Sequence, residues 1–112
     1  MSTIKEKLLG QEKLTGTSAV TVYNPSGNVT GIARFVTVCN ISAASASFDL
    51  YLNGSASTYN DTCALYYNKV LAAHDTLEIT GHYILNGSTA FLAAKSYTAN
   101  AITVTVNGLE IS

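Results

Sequence analysis

Residues 31–54 read GIARFVTVCNISAASASFDLYLNG, a β-hairpin whose two strands are joined by a loop of small residues. The incoming strand, 32–40, is dense in β-branched residues, which fit a pleated, half-buried surface. The outgoing strand, 46–53, alternates cleanly: Ala46, Phe48, Leu50 and Leu52 point one way, Ser47, Asp49, Tyr51 and Asn53 the other. Period-two alternation predicts one face in the core and the other in water or against a partner. A lone hairpin is marginal in water, so this pair needs further strands around it.

The rest of the chain supplies them. Apolar alternation and turn residues predict strands over 18–23, 62–71, 76–80, 82–85, 89–95 and 101–111. Asn24-Pro25-Ser26-Gly27-Asn28 and Asn86-Gly87-Ser88 are turn sequences. Gly81 is expected to break one strand into two, and Asn107-Gly108 to form a bulge after which Leu109 and Ile111 regain the inner face. About eight short strands with no long helical pattern predict an all-β fold, a single sandwich or jelly-roll-like domain over 17–112. A barrel is the alternative.

The first sixteen residues stand apart as an arm. Residues 2–14 hold three of the five lysines and two of the seven acids. Thr3 and Glu6 have the spacing of a capping box and Gly10 that of a helix stop. Ile4 and Leu8 then lie one turn apart, with or beside Leu9. A helix of two turns does not hold alone, because nucleation costs more than its few hydrogen bonds return. The arm is either a frayed end packed on its own domain or a segment that orders on a neighbouring subunit.

Bulk composition narrows the function. The 112 residues carry a formal charge of −1, and only 12% are charged. That lacks the basic footprint of a nucleic-acid binder. No apolar run is long enough for a signal peptide or a membrane span, so synthesis in the cytoplasm and free thiols at Cys39 and Cys63 are expected. A surface covered mainly by Ser, Thr, Asn, Gly and Ala has little charge repulsion to keep copies apart. It suits either a soluble monomer or a member of an assembly.

Enzyme chemistry finds no constellation. His74 and His82 sit near no nucleophile elbow, and His74-Asp75 reads as a turn. The two cysteines and two histidines lack zinc-ligand spacing, and no Gly-rich phosphate loop opens a helix. No metal or cofactor is expected. Five Asn-X-Ser/Thr triplets, at Asn28, Asn40, Asn53, Asn60 and Asn86, are attributed to composition. Tyrosine is the better signal: Tyr51, Tyr59, Tyr66 and Tyr67 fall within seventeen residues. Tyrosines exposed on a sheet face suit contacts between subunits, or, as a lesser reading, stacking on sugars by Tyr51, Tyr66 or Tyr67.

Several short pieces together resemble small β-proteins encoded among the virion genes of tailed bacteriophages. They are Pro25-Ser26-Gly27-Asn28, the run Arg34-Phe35-Val36-Thr37-Val38-Cys39-Asn40, Phe48-Asp49-Leu50-Tyr51-Leu52-Asn53, Asp75-Thr76-Leu77-Glu78, Leu85-Asn86-Gly87, and the ending 104–111, VTVNGLEI. The resemblance implies a structural, non-enzymatic virion protein. Within that group it points to a capsid decoration or cement protein, often a homotrimer, whose partner is the major capsid protein. A neck or tail component is the alternative. On this reading Ile4, Lys5, Leu8 and Leu9 of the arm contact the capsid, and Tyr51, Tyr59, Tyr66 and Tyr67 carry contacts between subunits. Deleting the arm is expected to leave a folded domain that no longer binds particles.

Overall fold

The computed structural model describes residues 3–112; Met1 and Ser2, the first residues of the expected arm, lie outside them. The chain forms eight strands: β1 (Ile4–Leu14), β2 (Val20–Tyr23), β3 (Thr30–Asn40), β4 (Ala46–Asn53), β5 (Ala64–Leu71), β6 (Thr76–Asn86), β7 (Phe91–Ser96) and β8 (Ile102–Ile111). Two single 3-10 turns, Asp61–Cys63 and Gly87–Thr89, precede β5 and β7. The strands pair antiparallel into two four-stranded sheets, β1-β8-β3-β6 and β2-β7-β4-β5, stacked as a sandwich. The all-β sandwich expected from the strand pattern is therefore the fold. The expected hairpin does not form: β3 pairs with β8 and β6 in the first sheet, β4 pairs with β5 and β7 in the second, and residues 41–45 cross between the sheets instead of turning a paired ribbon.

Alternation decides what fills the space between the sheets. Val36, Val38, Ile102, Val104, Val106 and Leu14 point inward from the first sheet and are buried. Phe48, Leu50, Leu92, Ala94 and Leu71 meet them from the second. At one end Tyr23 fills a place where β3 has no side chain: a Cβ at Gly31 would collide with the Tyr23 ring and hydroxyl. The hydroxyl passes that gap and donates to Glu110 Oε2 at 2.6 Å, and Lys7 Nζ holds Glu110 Oε1 at 3.2 Å. One carboxylate thus ties β2 of the second sheet to β8 and β1 of the first. The Tyr23 hydrogen bond holds the Glu110 carboxyl below the usual carboxylate range against the opposing effect of burial, with Lys7 adding to it.

Three further expectations are corrected. Residues 4–14 form no helix. They make β1, which pairs with β8 from Ile4↔Ile111 to Leu14↔Ile102. Two helical turns return few hydrogen bonds, whereas the open edge of β8 pairs with the segment along its whole length on one side. The strand is part of the sandwich, and its end residue Leu14 is fully buried in the core. Deleting it strips an edge strand from the first sheet, so the deletion is no clean test of binding. Second, Gly81 does not end a strand; β6 runs through it as one element. The eight strands are thus not the eight expected, since one is added in the arm and two merge.

The third correction fixes where the surface lies. Asn107-Gly108 does not switch faces. Glu110 reaches Tyr23 of the core, so β8 alternates without interruption from Ile102 to Ile111, and Leu109 and Ile111 point away from the core. The irregularities sit in the neighbours. Leu9 is the extra residue of β1, between Leu8↔Asn107 and Gly10↔Val106. Arg34 is the extra residue of β3, between Ala33↔Gly108 and Phe35↔Asn107, and the β3–β6 ladder shifts at the same point. Two bulges therefore flank Asn107 from both sides and reverse the alternation of β1 and β3.

Candidate functional site: two unlike outer faces

Each sheet has an outer face, and the sequence expected both to be solvated or in contact. On the first sheet the bulges divide the face in two. Beyond them, Gln11, Lys13, Thr37, Thr103, Thr105, Thr76 and Glu78 occupy neighbouring register positions on the outer side, and Gln11 Nε2 donates to Thr105 Oγ1 at 3.0 Å. This half is polar. On the other half the register sets Leu8 beside Asn107 and Phe35, Leu109 beside Ile32 and Ile84, and Ile4 beside Ile111. Ile4 is 67% exposed and Leu8, Phe35 and Ile84 are each 51% exposed. Ile32 is nearly covered by its neighbours. The strand spacing makes this patch roughly 15 Å on a side. A groove of about 570 Å³ runs through it, lined among others by Leu8, Arg34, Phe35 and Leu109.

The outer face of the second sheet is closed around Asp49, while Tyr67 and Val70 of β5 stay exposed at its edge, at 59% and 62%. Asp49 is fully buried, although it points away from the core. Its carboxylate accepts hydrogen bonds from the Tyr51 hydroxyl at 2.5 Å, from the Tyr97 hydroxyl at 2.9 Å, and from the Asn68 backbone N–H at 2.6 Å. The Tyr51 ring is covered in turn by Tyr59, with centroids 5.8 Å apart and planes 23° apart. Tyr59 belongs to the loop between β4 and the first 3-10 turn, and its hydroxyl lies 2.8 Å from Thr21 Oγ1 of β2. Lys95 Nζ sits 4.6 Å over the Tyr97 ring. Burial first, and the Asp49 hydrogen bond next, push the Tyr97 hydroxyl up to about 12 and the Tyr51 hydroxyl well above the usual tyrosine range. Both remain protonated donors at neutral pH.

The residues expected to bind partners are scattered by this geometry. Ile4 and Leu8 stand on the apolar half-face of the first sheet, whereas Lys5 is exposed on the opposite side of β1, beside Glu110. Leu9 turns at the bulge and packs against the core. Tyr51 does face away from the core but is only 5% exposed, because Tyr59 and the Asp49 cluster cover it. Tyr66 turns inward and packs on Phe48, with centroids 6.1 Å apart. Tyr67, 59% exposed, alone offers a free ring among the four. A sugar-stacking platform of Tyr51, Tyr66 and Tyr67 is not assembled.

Phe35, Ile84, Leu109 and Arg34 were missed. Their signal is faint but present: strand 32–40 carries apolar residues at both even and odd positions, with Arg34 interrupting them. A strand apolar on both sides, with a charge in its middle, reads as a bulge. Among the described residues no three of His, Cys, Asp and Glu gather to hold a metal ion. Cys39 and Cys63 are not bonded to each other.

No family model and no curated protein matches the sequence. Among solved structures, the chain is similar to one in a structure of infectious bursal disease virus, Gx strain. The identity is 8% and the TM-score 0.45, over 99% of this chain and 32% of that one. A second similarity is to a chain in a structure of the Gt strain of the same virus, at 8% identity and TM-score 0.38, over 99% of this chain and 30% of that one. The chain therefore spans about a third of the length of the chains it is similar to, and the likeness is one of fold.

Proposed function

We propose that this chain is a structural protein of a tailed-bacteriophage virion, a decoration or cement protein that docks on the major capsid protein through the apolar half-face of its first sheet. The observation that carries the reading is that face: Ile4, Leu8, Phe35 and Ile84, each at least half exposed, lie on one side of a bulge line, joined through Ile111, Leu109 and Ile32, with Glu6 and Asn107 among them. A contiguous apolar patch of this kind marks a surface that is covered in use. The short sequence pieces that resemble small phage virion proteins supply the identity of the partner.

The action is mechanical. A patch roughly 15 Å on a side is small beside the roughly 800 Å² per partner of a stable pairwise interface. It gains strength when several copies engage a repeating surface at once, as a homotrimer on a lattice would. The exposed ring of Tyr67 supports it, among the four tyrosines, as the one that contributes to contacts between copies. A ligand that binds the mature lattice and not the loosened one stabilises the former by linkage. The test is quantitative peptide mass spectrometry on purified particles, scaled to the major capsid protein. A copy number comparable with the capsid protein supports decoration of the shell. A number far below it moves the chain to the neck or tail. Absence from the particle overturns the reading.

A further inference from the structure

Arg34 is the only arginine of the chain. It is the extra residue of the β3 bulge, where both flanking ladders shift, and a bulge of this kind re-aims a side chain. It lines the groove together with Leu8, Phe35 and Leu109. It is exposed, and among the described residues it makes no ion pair and no side-chain hydrogen bond; the ion pair that does form there is Lys7–Glu110. Glu6 also lines the groove, yet it does not reach the guanidinium. An occupant that covers this groove desolvates five N–H donors. That is unfavourable unless the occupant brings acceptors of its own. A carboxylate matches the guanidinium fork with two parallel hydrogen bonds.

We infer that the groove receives a segment of a protein partner which sets an Asp or Glu carboxylate against Arg34 and an apolar side chain beside it, between Leu8, Phe35 and Leu109. This rests on the docking reading above and adds the chemistry of the partner. The apolar surface continues past the groove to Ile4, Ile84 and Ile111, so a macromolecular surface covers it better than a small ligand does. A second copy of this chain is disfavoured as occupant, because the patch alone falls short of the area a stable dimer needs.

The experiment uses virus particles that lack this protein, to which purified wild-type or variant chain is added. Arg34→Glu should weaken binding about thirtyfold or more, the usual scale for a charge left unpaired in a covered interface. Its melting temperature should match wild type, since Arg34 is exposed. Arg34→Lys keeps the charge and supplies an amine. A zero-length carbodiimide cross-linker should join that amine to an Asp or Glu of a capsid-protein peptide with an apolar neighbour. Lys13, on the polar half of the same face, should not cross-link there. If wild type and Arg34→Glu bind alike, this inference is overturned while the docking reading stands. If the cross-link joins two copies of this chain, the occupant is a second copy and the inference is overturned. If wild type does not bind the particles at all, the docking reading falls and this inference falls with it.

Discussion

The two outer faces of the sandwich begin from the same strand logic and end differently. On the first sheet, apolar side chains stand exposed with none of the described residues laid over them. On the second, a charged side chain points outward and is fully buried, because Tyr51, Tyr97, Asn68 and the Tyr59 loop close over it. Alternation tells which residues share a face; it does not tell whether the chain folds back to cover that face. An aspartate with three donors around it has completed its contacts. A phenylalanine half exposed beside an arginine with no ion pair among the described residues has room for more.

This contrast can be broken by substitution. The largest effect is expected from removing residues 3–14, which takes β1 and the buried Leu14 away. The truncated chain should show no cooperative thermal transition in circular dichroism, whereas a surviving transition would mean that β1 is dispensable to the sandwich. Asp49→Ala comes next. It leaves two tyrosine hydroxyls and a backbone amide without their acceptor and should cost about 2–3 kcal/mol, a fall of roughly 10 °C in melting temperature by calorimetry. Tyr51→Phe removes one of those donors and should cost about 1 kcal/mol by urea denaturation. Phe35→Ser and Ile84→Ser should change stability by no more than about 0.5 kcal/mol while abolishing particle binding. A core-like loss of stability from either would mean that the apolar half-face is packed and not waiting for a partner.

The sealed face also has a pH signature. Tyr97 and Tyr51 have pKa values raised above the unfolded one. Their contribution to stability is therefore complete below about pH 10 and is lost as pH rises through the folded-state values. An ultraviolet titration of the folded protein should show a late group of tyrosines, with Tyr97 ionising near pH 12 and Tyr51 well above the usual tyrosine range. Asp49→Ala should bring part of the late group forward. The opposite end of the range tests the clasp between the sheets. The Glu110 carboxyl is held low, so the stability it adds is present above the unfolded carboxylate pKa and lost as pH falls through the lower folded value.

The two strands of residues 31–54 were legible, but not their pairing, because nothing in the short loop says that the chain crosses to the other sheet. Of the inward set Ala46, Phe48, Leu50 and Leu52, the first three are buried as alternation requires and Leu52 is partly buried against the core. What escaped depended on contacts far along the chain. Residues 4–14 carry a helix-like capping pattern, and only the open edge of β8, about a hundred residues later, makes a strand of them. The bulges at Leu9 and Arg34 form against Asn107, so no local window reveals that Leu109 and Ile111 end outside. Tyr51 was assigned its face correctly and its exposure wrongly, because the covering Tyr59 comes from a loop with no pattern of its own. The Asn-X-Ser/Thr triplets hold a local meaning that composition hides. Asn40, Asn53 and Asn60 each accept a hydrogen bond from the backbone N–H two residues on, at Ser42, Ser55 and Thr62, and build turns.

The central claim is that the first sheet's apolar half-face is the surface this protein uses. Hydroxyl-radical footprinting with mass spectrometry, on the free protein and on the particle-bound protein, tests it most directly. The account predicts that Leu8, Phe35 and Ile84 oxidise readily when free and are protected on the particle, while Tyr51 is protected in both. Equal oxidation of Leu8, Phe35 and Ile84 on and off the particle would contradict it.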